Sequence, residues 1–387
     1  MHAENTPLRP LNYLIVISLS CFLAQVFISY PLWYNQATRT FPFVPVVRFG
    51  LDVFLTQLNP LLFGGLILGT IGTVLLKHKI PAILLGGISL LLLCLQDVTR
   101  LQPWVYQHLI VLGILYAHYK VVEKMSSDDN RTWAYFQLLY VAVYFWAGFN
   151  KINVHYTSSV FEWLMGITEL TKPFGENLYA AYASALIELG AGLGLLFRPT
   201  RKLAVGVILG MHVFILYMLM KDNWNKVVYP WNVEMMLGVL ILFWRDTLPM
   251  QWASIRQAMG LKILVGLLFI MPTLNLFGLW QYNFSFSMYS GLSLELELVA
   301  KDEASECFPD FLHEHKEFGF ESDSTFYLSL DDWTMREFQV PIYAEAWTAS
   351  VLKKEICKCI KKHEGYIRLE YSPRWDTIKP TIKVACQ

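Results

Sequence analysis

The stretch LNPLLFGGLILGTIGTVLL, residues 58–76, decides the fold together with IPAILLGGISLLLLCLQ, residues 80–96. Only Lys77-His78-Lys79 separates them. A helix that crosses a bilayer needs about 20 mostly apolar residues. The two stretches therefore predict a hairpin of membrane-spanning helices with a short, charged turn.

Further stretches of the same kind predict about nine spans and an all-α polytopic transmembrane bundle. Trp and Tyr recur at the predicted ends, as in the interfacial belts of membrane proteins. The first stretch has no small-residue cleavage pattern after its apolar core, so we interpret it as a span and not as a signal peptide. The further stretches are residues 11–29, 104–119, 133–150, 178–197, 203–220, 228–244 and 261–280.

The charges divide the chain into two parts. Charged residues make up 16% of the chain, against about 25% in an average soluble protein. Residues 281–387 carry 18 acidic and 12 basic residues, and residues 1–280 share the other 32 charges. We therefore expect a transmembrane domain over 1–280 and a small soluble α+β domain over 281–387. No basic run indicates binding of nucleic acid.

Local patterns in the C-terminal part predict strands and a helix. Alternation over 284–288 and 292–298, with a turn at 290–291, predicts two strands, and 325–330 predicts a third. Residues 347–362 predict a helix with a basic last turn. That turn contains Lys358, Lys361 and Lys362.

Four of the six cysteines lie in this C-terminal part. An exported domain would allow disulfides, whose pairing the sequence cannot decide, whereas a reducing compartment would keep four free thiols. Cys357 and Cys359 are two positions apart on the predicted helix and point in different directions, so they cannot easily pair with each other. The four are Cys307, Cys357, Cys359 and Cys386.

Lys and Arg in the short loops predict the orientation. The loops on the side of the N-terminus carry 12 of them and the opposite loops carry 7. Positive charge favours the cytoplasmic side. We therefore expect a multi-pass protein of a cell inner membrane, with the lipid bilayer as its first partner. Its N-terminus is expected in the cytoplasm, and nine spans then place the C-terminal domain outside.

Charged residues at the ends of the spans are functional candidates. Asp97 and Arg100 follow the third span and could form a structural ion pair at the interface. Asn150 and Lys151 end the fifth span. A lysine there usually reaches towards the interface, but its aromatic flank and the small residues at 147–148 also suit a general base held between close helices.

Other polar residues lie deeper in apolar stretches. Glu188 precedes several small residues, which indicate a tight helix contact, and a buried carboxylate there must be paired or protonated. His212 lies near the middle of the seventh span, where a lone histidine is more often a hydrogen-bonded interior residue than a ligand. Asn232 and Glu234 enter the eighth span after Trp231. We expect one outward-facing polar cavity closed over by the C-terminal domain. No metal, phosphate or serine-nucleophile motif is evident.

Residues 144–153, 188–201, His212 and 225–232 resemble the HTTM membrane domain, which vitamin K-dependent gamma-glutamyl carboxylase shares with many bacterial proteins. The likeness covers about residues 97–244 and is strongest at 147–151. It implies that Lys151 is the base that deprotonates a hydroquinone, with His212 in the same membrane domain. The cofactor or substrate implied is a quinone or hydroquinone.

The chain differs from the carboxylase at two named positions. Trp104 stands where the carboxylase has a histidine, and Asn150 stands where it has a lysine beside the base. Residues 281–387 also replace the larger region that binds the propeptide of the carboxylase substrate.

The leading hypothesis is a bacterial member of this family that is carboxylase-like, or a quinone-linked lyase or oxidoreductase, if it is active. One alternative is a non-enzymatic protein that matures or binds an exported peptide. Another is a DoxX-like electron-transfer subunit, although the sequence shows no haem or iron–sulfur ligands. The catalytic candidates are Lys151 and His212, and the substrate-binding candidates are Asn150, Asn232, Trp231, Asp97, Arg100 and Glu188.

Overall fold

Helices build the first part of the chain, and each of the nine apolar stretches coincides with helical structure. A computed structural model describes residues 8–34, 38–46, 57–125, 131–244, 258–318, 324–358, 360 and 365–386. The helices are α1 (Leu8–Ile28), α2 (Tyr30–Trp33), α3 (Asn59–Leu75), α4 (Ile80–Gln96), α5 (Pro103–Met125), α6 (Arg131–Asn150), α7 (Phe161–Gly166), α8 (Leu178–Gly194), α9 (Arg198–Asp222), α10 (Val228–Phe243), α11 (Met259–Val265) and α12 (Met271–Leu274), the last two joined by a π-helical turn (Gly266–Ile270).

Part of this bundle has the length and composition of membrane spans. Within the described residues, three helical segments are long and apolar enough to cross a membrane, namely Pro10–Ile28, Arg198–Asp222 and Met259–Phe277. Four shorter apolar helices accompany them, namely Asn59–Leu75, Ile80–Gln96, Leu178–Gly194 and Val228–Phe243. These helices are consistent with association of the chain with a membrane.

The turn between α3 and α4 shows how the charged tripeptide acts. The ammonium of Lys79 donates to the carbonyl oxygens of Thr73, Val74 and Leu76 at 2.8, 2.8 and 3.0 Å. These carbonyls belong to the last turn of α3 and to Leu76, the residue that directly follows it, and they have no partner within the helix. Pro81 lies in the first turn of α4, where its missing N–H needs no acceptor. The tripeptide thus follows the end of α3, and α4 begins directly after it.

Glycine allows α6 and α8 to approach closely. A Cβ atom added to Gly148 would lie 2.3 Å from the backbone nitrogen of Leu189, and one added to Gly192 would lie 2.8 Å from that of Phe145. The predicted tight contact at the small residues of α8 is confirmed at Gly192. Gly190 does not contribute, because a Cβ there would meet nothing within 4 Å.

The C-terminal part contains a five-stranded antiparallel sheet in the order β2-β3-β1-β4-β5. A disulfide between Cys357 and Cys386 joins the end of α14 to the end of β5, and Cys307 is also disulfide-bonded. The elements are β1 (Glu295–Lys301), β2 (Glu317–Phe318), β3 (Thr325–Ser329), α13 (Leu330–Phe338), α14 (Ala346–Ile356), β4 (Gly365–Glu370) and β5 (Thr381–Ala385).

The strand predicted over 284–288 is wrong, while those predicted over 292–298 and 325–330 correspond to β1 and β3. Residues 283–285 form a 3₁₀ turn, and Phe286 has a left-handed backbone (φ 49°) and a fully buried ring. The alternation there reflects aromatic rings that pack against Tyr106 of α5. The predicted helix ends early at Ile356, and its last turn carries Lys353 and Lys354. Lys361, Lys362 and Cys359 lie outside the described residues.

Several helix ends lie beside the C-terminal domain. Gln102 Nε2 donates to the carbonyl of Pro341 at 2.9 Å, and the guanidinium of Arg374 donates to the carbonyls of Phe149 and Ile152, both at 3.2 Å. One continuous hydrophobic core includes residues of both parts. The loop between α4 and α5 and the end of α6 therefore lie beside the C-terminal domain.

Adding a methyl group at Gly148 tests the contact between α6 and α8. We expect Gly148→Ala to destabilise the fold by about 1–3 kcal/mol, because the new Cβ meets backbone that cannot move without separating the helices. Gly190→Ala on the same contact helix is the control, and it should be neutral or slightly stabilising. Thermal unfolding in detergent measures both, and equal melting temperatures would contradict the close contact.

Candidate functional site

Lys151 and Glu188 form a buried ion pair inside the bundle. Lys151 directly follows α6, and Glu188 lies in the middle of α8. Lys151 Nζ is 2.5 Å from Glu188 Oε2, and the two side chains are only 11% and 8% exposed. In an interior of low dielectric each charge requires the other. The pair satisfies the expectation that a carboxylate at this place is paired or protonated.

The packing of α6 on α8 positions this pair. Gly148 lies three residues before Lys151 and contacts the backbone of Leu189, the neighbour of Glu188. Tyr156 lies within electrostatic range of both charges, and its hydroxyl is hydrogen-bonded to Ser184 at 2.8 Å. The ion pair is thus set between one helix end and one helix face, and its partners leave little freedom to either side chain.

His212 lies beside the pair, held at both ring nitrogens. Nδ1 is 2.6 Å from Asn232 Oδ1, and Nε2 is 2.8 Å from the Tyr144 hydroxyl. The Asn232 amide group donates to the Val228 carbonyl at 2.7 Å, so its oxygen faces the ring and accepts from Nδ1–H. In a neutral imidazole Nε2 then accepts from Tyr144. His212 also interacts electrostatically with Glu188, so the structure brings three predicted residues together with Lys151.

Asn150 forms hydrogen bonds with the C-terminal domain. Its Nδ2 donates to the Ser285 carbonyl at 3.0 Å, and its Oδ1 accepts from Arg374 Nη2 at 2.9 Å. Asn153 repeats the arrangement one turn on, donating to the carbonyls of Asn150 and Ser290. Both amide ends of Asn150 are therefore occupied by protein, next to Lys151 but not in an open pocket.

Asp97 and Arg100 do not form the ion pair that their spacing allowed. Asp97 binds Arg39 at 2.5 Å and accepts from the backbone N–H of Thr99. The Arg100 guanidinium donates to the carbonyls of Leu32 and Leu93 and to two amide side chains. Both residues are fully buried. They hold the loop after α4 against Leu32, Arg39 and Asn59, and none of these hydrogen bonds involves Lys151.

Trp231 belongs to a third group, centred on a carboxylate that the site prediction omitted. Trp231 Nε1 donates to Gln107 Oε1 at 3.1 Å, and Gln107 Nε2 donates to Glu234 Oε1 at 3.2 Å. Ser18 also donates to Glu234, at 2.6 Å. Glu234 is only 4% exposed. The signal that singled out Glu188, a carboxylate within an apolar helix, applies equally to Glu234.

A cavity of about 690 Å³ lies between the helix ends and the C-terminal domain. Four tryptophan side chains line it, of which Trp231 is the one member of the predicted site. Lys151, Glu188, His212 and Asn232 lie outside its lining. The structure therefore divides the predicted residues among separate groups and does not gather them in one cavity. The tryptophans are Trp104, Trp163, Trp224 and Trp231.

The cavity has an acidic wall in the C-terminal domain. Asp331 lines it at the start of α13. Burial raises the pKa of this carboxyl group to about 6, and the charges of Asp332 and Glu295 act in the same direction. The backbone N–H of Ile342, which donates to Asp331 at 2.8 Å, opposes this. Asp331 is thus a carboxylate that ionises near neutral pH.

Comparisons of the chain with protein-family models, with curated proteins and with solved structures find no match. Within the described ranges, no group of three or more His, Cys, Asp or Glu side chains is placed to hold a metal ion. The resemblance to the HTTM domain therefore stays a prediction, and the geometry of the buried polar groups is the remaining indication of a function.

Removal of one member of the Lys151–Glu188 pair should strongly destabilise the fold. Lys151→Ala leaves a buried carboxylate without its cation, at a cost of about 3–5 kcal/mol. The double variant Lys151→Met, Glu188→Gln should recover much of this loss, because it removes both charges. The exposed pair Lys172–Glu169, 3.8 Å apart, provides the control, and Lys172→Ala should change stability by less than about 1 kcal/mol. Melting temperatures that fall equally in both single variants would contradict burial of the pair.

Proposed function

We propose that the chain is a nine-span inner-membrane protein, related to the HTTM family, that removes a proton from an apolar hydroxylated substrate such as a hydroquinone. The observation that supports this is the buried Lys151–Glu188 pair. An ion pair inside a helix bundle costs free energy that packing alone would avoid, which makes it a functional candidate. Its position at the end of α6, beside the C-terminal domain, matches the side on which the other polar helix ends lie.

The pair can act as a base in two steps. The Lys151 ammonium first returns a proton to the Glu188 carboxylate, which leaves a neutral amine and a neutral acid. The amine then accepts the proton of the substrate hydroxyl, and the substrate is left as an oxyanion. The pair has gained one proton in total and carries one positive charge beside that oxyanion, which stabilises it. A general base of this kind contributes about 10²–10⁴-fold to a rate.

His212 and Asn232 would shape this site. Asn232 fixes the imidazole through Nδ1, and Nε2 holds the Tyr144 hydroxyl on the side of Glu188. Lys151 and Glu188 retain a small exposed fraction, and the neighbouring face of α8 exposes large apolar side chains such as Ile187, at 55%. An apolar substrate would therefore approach the pair from the membrane and not through the cavity.

Oxygen consumption in the presence of vitamin K hydroquinone tests the proposal, with the full chain in lipid nanodiscs. We expect turnover by the wild type and a decrease of about 100-fold or more in the double variant Lys151→Met, Glu188→Gln, which removes the base without leaving an unpaired buried charge. Lys172→Ala, which removes an exposed lysine of the same loop region, should retain wild-type turnover. Equal rates in both variants, or neither binding nor turnover by the folded wild type, would reject the role of Lys151.

The binding of an exported peptide by the C-terminal domain is the second candidate. β5 forms one edge of the sheet and pairs with β4 on its other side, and Ile382 within it is 50% exposed. An extended peptide can add a strand to such an edge. A specific exported peptide that co-purifies with the wild type and with the double variant Lys151→Met, Glu188→Gln alike, but not with Ile382→Lys, would favour this function over catalysis.

The proposed orientation can be tested with single added cysteines. Ile378 is 73% exposed in the C-terminal domain, and Lys77 is exposed in the turn between α3 and α4. We expect a membrane-impermeant maleimide to label Ile378→Cys in intact cells and Lys77→Cys only after lysis, because the two positions lie on opposite sides in a nine-span topology. The reverse pattern would invert the orientation, and labelling of both from outside would exclude it.

A further inference from the structure

The cavity between the helix ends and the C-terminal domain has the size of a small-molecule site. Its volume of about 690 Å³ lies within the range of about 300–1,000 Å³ that is usual for ligand pockets. The described residues that line it include four carboxylates and no lysine, arginine or histidine. The carboxylates are Asp222, Glu295, Glu297 and Asp331.

Two of these carboxylates are neutralised by the protein. Glu295 binds Lys379 at 2.8 Å, and Glu297 forms an ion pair with Arg368. Asp331 has no cation partner among the residues that the structure describes. Its hydrogen bond from the Ile342 N–H satisfies one oxygen without balancing the charge. The cavity therefore presents a negative charge that its own walls leave uncompensated.

Two polar atoms at the cavity are buried without a partner in the described part of the chain. They are Asn225 Oδ1 and Trp104 Nε1, on residues that are 6% and 3% exposed. Asn225 Nδ2 donates to the Tyr289 hydroxyl at 2.8 Å, which leaves its oxygen as the unused acceptor. Tyr289 in turn lies within electrostatic range of Asp331. Because a buried acceptor without a donor costs about 1–3 kcal/mol, this one indicates a ligand that carries a hydrogen-bond donor.

We propose that this cavity binds a small organic cation with a primary ammonium or guanidinium group on an apolar body. The N–H groups of the cation donate to Asn225 Oδ1 and to Asp331, and the apolar body packs on the indole rings, which also attract positive charge. A quaternary ammonium group has no N–H and cannot satisfy Asn225. The site does not involve Lys151 or Glu188, so it stands apart from the proposed proton transfer.

Isothermal titration calorimetry of the full chain in nanodiscs tests this with three matched probes. Phenethylamine carries the ammonium, 2-phenylethanol is its uncharged analogue, and phenethyltrimethylammonium keeps the charge without N–H groups. We expect phenethylamine to bind at least about tenfold tighter than either analogue. Equal affinity for the alcohol, or no binding of phenethylamine, would overturn the proposal.

Three variants locate the binding. Asp331→Asn keeps an oxygen for the Ile342 N–H and should weaken phenethylamine binding at least about tenfold. Asn225→Asp tolerates the left-handed backbone at this position (φ 48°) and adds a negative charge, so it should tighten binding. Asp310→Asn, at an exposed residue outside the cavity, should bind as the wild type does. Unchanged affinity in both cavity variants would overturn the assignment.

The pH dependence gives an independent readout. The pKa of about 6 for Asp331 reflects burial, the charges of Asp332 and Glu295, and the N–H of Ile342, while the phenols of Tyr282 and Tyr289 near it stay neutral in this range. Asp331 is ionised above its pKa, so phenethylamine should bind tighter at pH 7.5 than at pH 5. Asp331→Asn should remove the difference, and a wild-type affinity independent of pH would contradict the role of Asp331.

The source of the cation can be read from a fourth probe, the blocked dipeptide acetyl-Phe-Lys-amide. Tighter binding of the dipeptide than of phenethylamine supports the basic side chain of a peptide as the ligand. The reverse order supports a free amine. Either result requires the ammonium contact and is consistent with the proposal, whereas binding of the dipeptide that Asp331→Asn leaves unchanged would count against it.

Discussion

The structure depends on one constraint, the requirement that a charge inside an apolar bundle has a partner of opposite sign at contact distance. Glu188 lies in the middle of α8 and Lys151 at the end of α6, so the two helices must pack closely for the 2.5 Å contact to form. Gly148 and Gly192 make that possible because they have no side chain at the crossing. The small residues of these two helices allow the close packing, and the charged residues form the ion pair across it. The ion pair therefore depends on both sets of residues.

The same end of α6 also anchors the C-terminal domain. Arg374 donates to the carbonyl of Phe149, in the last turn of α6, and also to the carbonyl of Ile152 and to the side chain of Asn150. A side chain of the C-terminal domain thus contacts the end of the helix whose next residue is Lys151. The position of the ion pair and the docking of the C-terminal domain are consequently linked through residues 149–152, so a displacement of one should displace the other.

The sequence predicts the helices well because apolar length is a local property, and the same holds for β1, β3 and α14. It fails at residues 284–288, where a strand-like alternation comes from Phe284 and Phe286 packing on Tyr106, a contact that only the tertiary fold creates. The sequence also identifies Lys151, Glu188 and His212 as residues whose burial costs free energy, but it does not show which of them are in contact. Asp97 illustrates the limit, since its partner Arg39 lies 58 positions away in the chain. Spacing along a helix could suggest only Arg100.

The separation of the ion pair from the cavity gives two chemical environments on the same side of the bundle. The ion pair is electrically balanced and enclosed, so its chemistry is confined to moving a proton between its own groups and whatever reaches it through the helices. The cavity carries a net negative charge, because among the described residues Asp331 has no cation partner and Asn225 Oδ1 has no hydrogen-bond donor. An enclosed ion pair whose charges cancel is suited to proton transfer. An aromatic cavity with a net negative charge is suited to binding a cation.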